Sequence, residues 1–209
     1  AALWAEIAER VEARGLVPFV DLAYQGLGDG WDADAAGART VLARCRHGLL
    51  AYSCDKNFAL YRERTGALWT IAPDAAASAI LYSNLLALAR ANWSMPPDHG
   101  AAAARMVLED PALAAEWQQE LDAMRRRLQT LRRGLGALGT VGRIDLAPIV
   151  RGKGMFATLP LTRTQVAWLR EQHAIYMAAS GRINIAGFDD TAITRFGEAL
   201  AALDRSGVA

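Results

Sequence analysis

The chain has 209 residues, 53% of them apolar, with 23 basic and 22 acidic side chains and a formal net charge of +1. That length suits one large domain or one and a half smaller ones, and the apolar content supports a packed core and excludes a disordered chain. The balanced charge gives no reason to expect nucleic acid or a membrane surface as partner, and no apolar run is long enough for a membrane span. Two cysteines, Cys45 and Cys54, are too few for a disulfide framework and fit a reducing, cytoplasmic setting. Ala1-Ala2-Leu3-Trp4-Ala5-Glu6 lacks a basic leader and an initiator methionine, and it reads as the middle of an amphipathic helix. The expectation is a piece of a longer protein; a trimmed terminus is the alternative.

In chain order, Leu3, Ile7 and Val11 predict a helix over 3–14, stopped by Gly15. Leu16 to Leu22 predict a buried strand, and Gly26 to Gly30 a glycine-rich loop. Asp32 or Asp34 then caps a helix running to about Arg46. Buried strands are expected at 49–54 and 67–72. This alternation points to an α/β fold with a mostly parallel sheet, where ligand groups gather at the carboxyl ends of strands. Helices follow over 74–93, ended before Pro96-Pro97, over 99–108, and from Asp110-Pro111 to about Leu138. The basic run Met124 to Arg133 reads as a solvated helix face rather than a nucleic-acid patch, because acids nearby balance it. A smaller α/β region closes the chain, with strands near 154–159 and 175–185 and helices near 162–173 and 190–204. No metal site is expected.

Lys56 follows the apolar run Gly48-Leu49-Leu50-Ala51-Tyr52, and a lysine at the end of a buried strand is costly to ionise, which pushes its amine toward the nucleophilic form. Asp21 ends the preceding strand in the same way, with Tyr24 three positions on. Lysine, strand-end acid, tyrosine and a nearby arginine form the set a pyridoxal phosphate (PLP) enzyme needs. Ser53, Arg62 and Arg64 add hydroxyl and guanidinium donors of the kind a phosphate requires. Arg182, in Ala179-Ser180-Gly181-Arg182-Ile183-Asn184, reads equally as an edge-strand arginine with a packed stem and as a bidentate carboxylate clamp. Arg90 complements a helix C-terminus, and His99 reads as structural rather than catalytic.

Taken together, Asp21-Leu22-Ala23-Tyr24-Gln25-Gly26, Ser53-Cys54-Asp55-Lys56-Asn57-Phe58, Tyr61-Arg62-Glu63-Arg64-Thr65-Gly66, Arg90-Ala91-Asn92-Trp93-Ser94, Gly154-Met155-Phe156 and Ala179 to Asn184 resemble the motifs of the aspartate and aromatic aminotransferases, the class I, fold-type I PLP enzymes. The resemblance implies that residues 1–125 are the second half of a large PLP-binding domain, including the start of an interdomain helix, and that 126–209 form a small C-terminal α/β domain. It implies Lys56 as the Schiff-base lysine and proton shuttle, Asp21 as partner of the pyridinium nitrogen, and Tyr24 as donor to the ring oxygen. Ser53 and Arg64 match phosphate ligands, Arg182 the α-carboxylate clamp, and Phe156 an aromatic near the substrate. Arg90 matches an arginine that reaches across a homodimer interface to a substrate side-chain carboxylate. The implied reaction moves an amino group between aspartate, glutamate or an aromatic amino acid and a 2-oxo acid. Two departures stand out: Asp55 replaces a hydroxyl residue beside the phosphate, which implies weaker cofactor retention, and the apolar Met95 replaces an asparagine of the aspartate-specific members. The matched motifs belong to the second half of the family's length, so the alternative expectation is a truncated fragment that cannot hold PLP alone.

Overall fold

The structure, a computed structural model, describes residues 2–209. The chain divides into two compact units, the first ending at Leu121 and the second spanning Asp122–Ala209.

In the first unit, helix α1 (Ala2–Ala13) ends in a left-handed turn at Gly15. The Gly15 N–H donates to the Glu12 carbonyl and the Leu16 N–H to the Val11 carbonyl, each at 3.0 Å. This paired closure of the helix end consumes Leu16, so the expected strand begins only at Phe19. Strand β1 (Phe19–Leu22) pairs in parallel with β2 (Gly48–Ser53), and helix α2 (Trp31–Arg44) makes the crossover between them. Strand β3 (Gly66–Ile71) lies on the far side of β2 and runs antiparallel to it. The third strand thus departs from the parallel expectation: the twelve or so residues after Ser53 form turns with no crossover helix, which suits an antiparallel return.

Ala8 of α1 and Val41 and Cys45 at the end of α2 form a small core, with Ile7, Val11 and Val20 packed against it. The close approach of the two helices depends on Gly37, where an added Cβ would collide with the Trp4 indole. Val20 and Leu22 face that side of the sheet. Phe19 and Asp21 face the other, where Phe19 is 67% exposed and Leu68 of β3 is 48% exposed. Of the strands expected to be buried, β1 alternates exposed and half-buried residues, β2 is half-buried beyond Gly48, and β3 is mostly exposed. Helix α3 (Ala75–Asn92), capped by Asp74, buries no residue and leaves Ile80, Tyr82, Leu86 and Leu88 exposed. Helix α4 (His99–Glu109) follows, and α5 (Pro111–Ala137) gives Trp117 and Leu121 to this unit.

In the second unit, Leu128, Leu131 and Leu135 of α5 are buried at helical spacing. A short hairpin, β4 (Thr140–Val141) and β5 (Ile144–Asp145), turns at Gly142 and was not expected from the sequence. A 3₁₀ turn over Ala147–Arg151 leads to β6 (Phe156–Thr158), which pairs antiparallel with β7 (Arg182–Asn184). Helix α6 (Arg163–His173) begins with a Thr162–Gln165 capping box, and α7 (Asp190–Ser206) begins at an Asp189 cap. The strand expected over 175–185 shrinks to three residues. Ala174 adopts a left-handed conformation at the end of α6, and Gly181 turns immediately before β7. The basic run is not simply a solvated face. Arg132 is buried, Arg127 donates to the Ala186 and Phe188 carbonyls, and Arg125 pairs with Asp122. Among the described residues, no helix is long and apolar enough to cross a membrane.

Candidate active site

Parallel pairing puts the carboxyl ends of β1 and β2 side by side. Asp21 stands opposite Ala51, and side-chain alternation along β2 turns Ala51 and Ser53 to the same face as Asp21. Asp21 is exposed there, and Ser53 is half-buried. The chain then coils into a loop that carries Lys56, closed by the Phe58 N–H on the Cys54 carbonyl at 3.2 Å. Lys56 is half-buried, with its Nζ 4.9 Å from the Tyr24 ring centroid and 5.5 Å from that of Tyr61. Two electron-rich rings thus face the Lys56 Nζ. Asp21, Tyr24, Ser53 and Lys56, picked out in sequence 35 residues apart at their ends, fall in one region of one sheet.

Asn57, which sequence reasoning did not single out, ties the two motifs together. Its side-chain amide donates to the Gln25 carbonyl at 3.2 Å and to the Tyr52 hydroxyl at 2.8 Å. The Trp117 indole N–H donates to the Asn57 carbonyl at 2.7 Å, and Phe58 stacks on Trp117 with ring centroids 4.4 Å apart. Burial pushes the Tyr52 hydroxyl up to about 12, opposed by the Asn57 hydrogen bond. Burial and the Asp55 charge also raise the Cys54 thiol above its usual value. No local signal marks Trp117, which meets this loop from 60 positions down the chain.

The glycine loop is organised from α2. Asp34 accepts from the backbone N–H groups of Gly26 at 2.8 Å, Gly28 at 2.9 Å and Asp29 at 2.8 Å. The expected capping by Asp32 or Asp34 is therefore corrected. The N-cap is Gly30 with no side-chain cap bond, because Asp34 is committed to the preceding loop. Further on, Arg64 sits at φ 54°, donates to the Tyr61 carbonyl at 2.8 Å and forms an ion pair with the buried Asp55. Arg62 is exposed, and His99 pairs with Glu63, in keeping with a structural role. Arg90 lies exposed in the last turn of α3, and Met95 beyond it is 83% exposed. In the second unit, Arg182 and Phe156 come from paired strands, and the guanidinium lies 4.9 Å from the phenyl centroid. A cavity of about 880 Å³ opens on the opposite face of the first unit's sheet, along Leu50, Tyr52, Trp69, α2 and α4. Neither Asp21 nor Lys56 lines it.

Residues 1–200 match the family model described as aminotransferase class I and II. The chain belongs to that family. A tyrosine aminotransferase of Rhizobium meliloti (strain 1021) is 50% identical over 186 residues, which is 89% of this chain and 48% of that protein. The aspartate aminotransferase of Escherichia coli (strain K12) is 38% identical over 202 residues, 96% of this chain and 51% of that protein. A crystal structure of an aromatic-amino-acid aminotransferase from Burkholderia pseudomallei covalently bound to pyridoxal phosphate superposes with a TM-score of 0.89 at 41% identity. It covers 97% of this chain, which covers 51% of it. The chain spans about half the length of the curated relatives it matches.

Proposed function

We propose that the protein to which this chain belongs is a PLP-dependent transaminase acting on aromatic or dicarboxylic amino acids. The observation that carries the reading is the placement of Asp21 and Lys56 at the carboxyl ends of two adjacent parallel strands. A carboxylate and an amine carried at the carboxyl ends of adjacent parallel strands suit a pyridine ring with an aldehyde. At the ring end, Asp21 offers a carboxylate and Lys56 an amine beside the Tyr24 ring. At the phosphate end, Ser53 offers its hydroxyl, while Arg64 is already engaged by Asp55.

When bound, PLP supplies an aldehyde that condenses with amines and a ring that withdraws electrons from the substrate α-carbon. The chain's own residues supply the rest. Asp21 holds a proton on the ring nitrogen by its charge, and Tyr24 donates to the ring oxygen. Lys56 would anchor the cofactor, and its amine, when free, is the group placed to take and hold the proton of the substrate α-carbon. Arg182 clamps the α-carboxylate through its planar fork, and Phe156 both backs that guanidinium and offers an apolar surface to the substrate. Arg90, from a second copy in a homodimer, receives a side-chain carboxylate. The apolar Met95 beyond it favours acceptance of aromatic substrates as well. Free cysteines accord with a reducing cytoplasm.

A second reading is that these 209 residues alone do not retain PLP. The 67% exposure of Phe19, two residues from Asp21 on the same face, favours it, because that side of the site lies open to water. One titration separates the two. A bound state absorbing between roughly 360 and 430 nm, fixed by borohydride onto Lys56 and absent in Lys56→Ala, is expected for the enzyme. A spectrum of free PLP alone would establish the second reading for this piece.

A further inference from the structure

Asp55 stands immediately before Lys56 with 2% of its surface exposed. Its Oδ2 takes the Arg64 guanidinium, and its Oδ1 has no hydrogen-bond partner among the described residues. Its backbone N–H donates to the Ser53 hydroxyl at 3.1 Å. One buried residue thus engages both side chains assigned to the cofactor's phosphate. Arg64 is fixed on this contact by a left-handed backbone at φ 54° and by its second bond to the Tyr61 carbonyl.

We propose that Asp55 is an internal anion that competes with the phosphate for Arg64, so that this site holds PLP weakly and discriminates little between phosphorylated and unphosphorylated pyridoxal. The proposal rests on Lys56 being the cofactor anchor. If the phosphate takes Arg64, a buried carboxylate is left with neither oxygen paired, which is strongly unfavourable. If Asp55 keeps Arg64, the phosphate faces a carboxylate of like charge. Both arrangements lower the affinity for PLP. Pyridoxal, which carries no phosphate, needs neither rearrangement.

The test titrates PLP and pyridoxal separately into the full-length protein and its Asp55→Ser and Asp55→Asn variants. The absorbance of the lysine adduct and the mass of the borohydride-reduced protein are followed, with Lys56→Ala as control. Both Asp55 variants are expected to tighten PLP by about tenfold or more and to move pyridoxal by less than about threefold, the signature of a charge effect confined to the phosphate end. Asparagine keeps the shape of the side chain, so its result decides the matter if the serine variant folds poorly. An unchanged PLP affinity, or an equal gain for both ligands, overturns the role of Asp55 while leaving Lys56 as the anchor. An adduct that survives Lys56→Ala, or the failure of every variant to form one, overturns the functional reading and this proposal with it.

Discussion

Arg132 is a guanidinium only 3% exposed, and its partners are main-chain oxygens. It donates to the carbonyls of Ile149 at 2.9 Å, Lys153 at 2.9 Å, Gly154 at 3.0 and 3.1 Å and Phe156 at 2.6 Å. Burial pulls its pKa below the usual arginine value, yet these oxygens surround its donors. The residue thereby holds the loop that delivers Phe156 beneath Arg182. Arg132→Met removes the donors and leaves buried carbonyls unpaired, so a loss of about 3 kcal/mol in unfolding free energy is expected in urea titrations. Tyr52 supplies a second residue-level expectation. Its folded value of about 12 lies above the ordinary 10, so the unfolded chain loses this proton first as pH rises. Its contribution to stability is whole below pH 10 and is lost as the pH climbs from 10 toward 12. Melting temperature should fall across that window, and Tyr52→Phe should flatten the fall.

Loop and helix cooperate in the segment from Tyr24 to α2. Three amides of the glycine loop converge on one carboxylate of the following helix, and Gln25 bonds the Trp31 carbonyl at 2.8 Å. Asp34→Ala strands three N–H groups, and each lost charge-assisted bond is worth about 1 kcal/mol or more. Faster amide exchange at Gly26, Gly28 and Asp29, with α2 itself still protected, is the expected result. Gly26 is held at φ +92°, and an added Cβ would collide with the Leu121 side chain. Gly26→Ala should therefore cost about 2 kcal/mol, through both the backbone conformation and the overlap. A drop in the denaturant midpoint would check it.

Across the whole chain, apolar side chains are left in water in the first unit. Phe19 and Leu68 share one face of its sheet, and α3 buries nothing. Such a surface promotes association, and a sheet with two free edges adds to it. The 209-residue chain should bind a hydrophobic dye and scatter light in proportion to concentration, and Phe19→Glu together with Leu68→Lys should reduce both. The chain's amino-acid order by itself determined the helices with strong periodicity and local caps. Helices α1, α6 and α7 fall within one or two residues of their expected limits, because capping and spacing act over a few positions. It also determined which side chains to watch, since a lysine and an acid after apolar runs are local signals. Only the tertiary structure decided that Asn57 and Trp117 fasten the Lys56 loop, that Asp34 serves the glycine loop rather than its own helix, and that Asp55 occupies Arg64. It likewise decided that Arg132 is buried and that the expected buried strands stay half-open. These outcomes depend on which groups meet across long stretches of chain, and a buried hydrogen bond or ion pair forms only where folding has already brought both partners out of water.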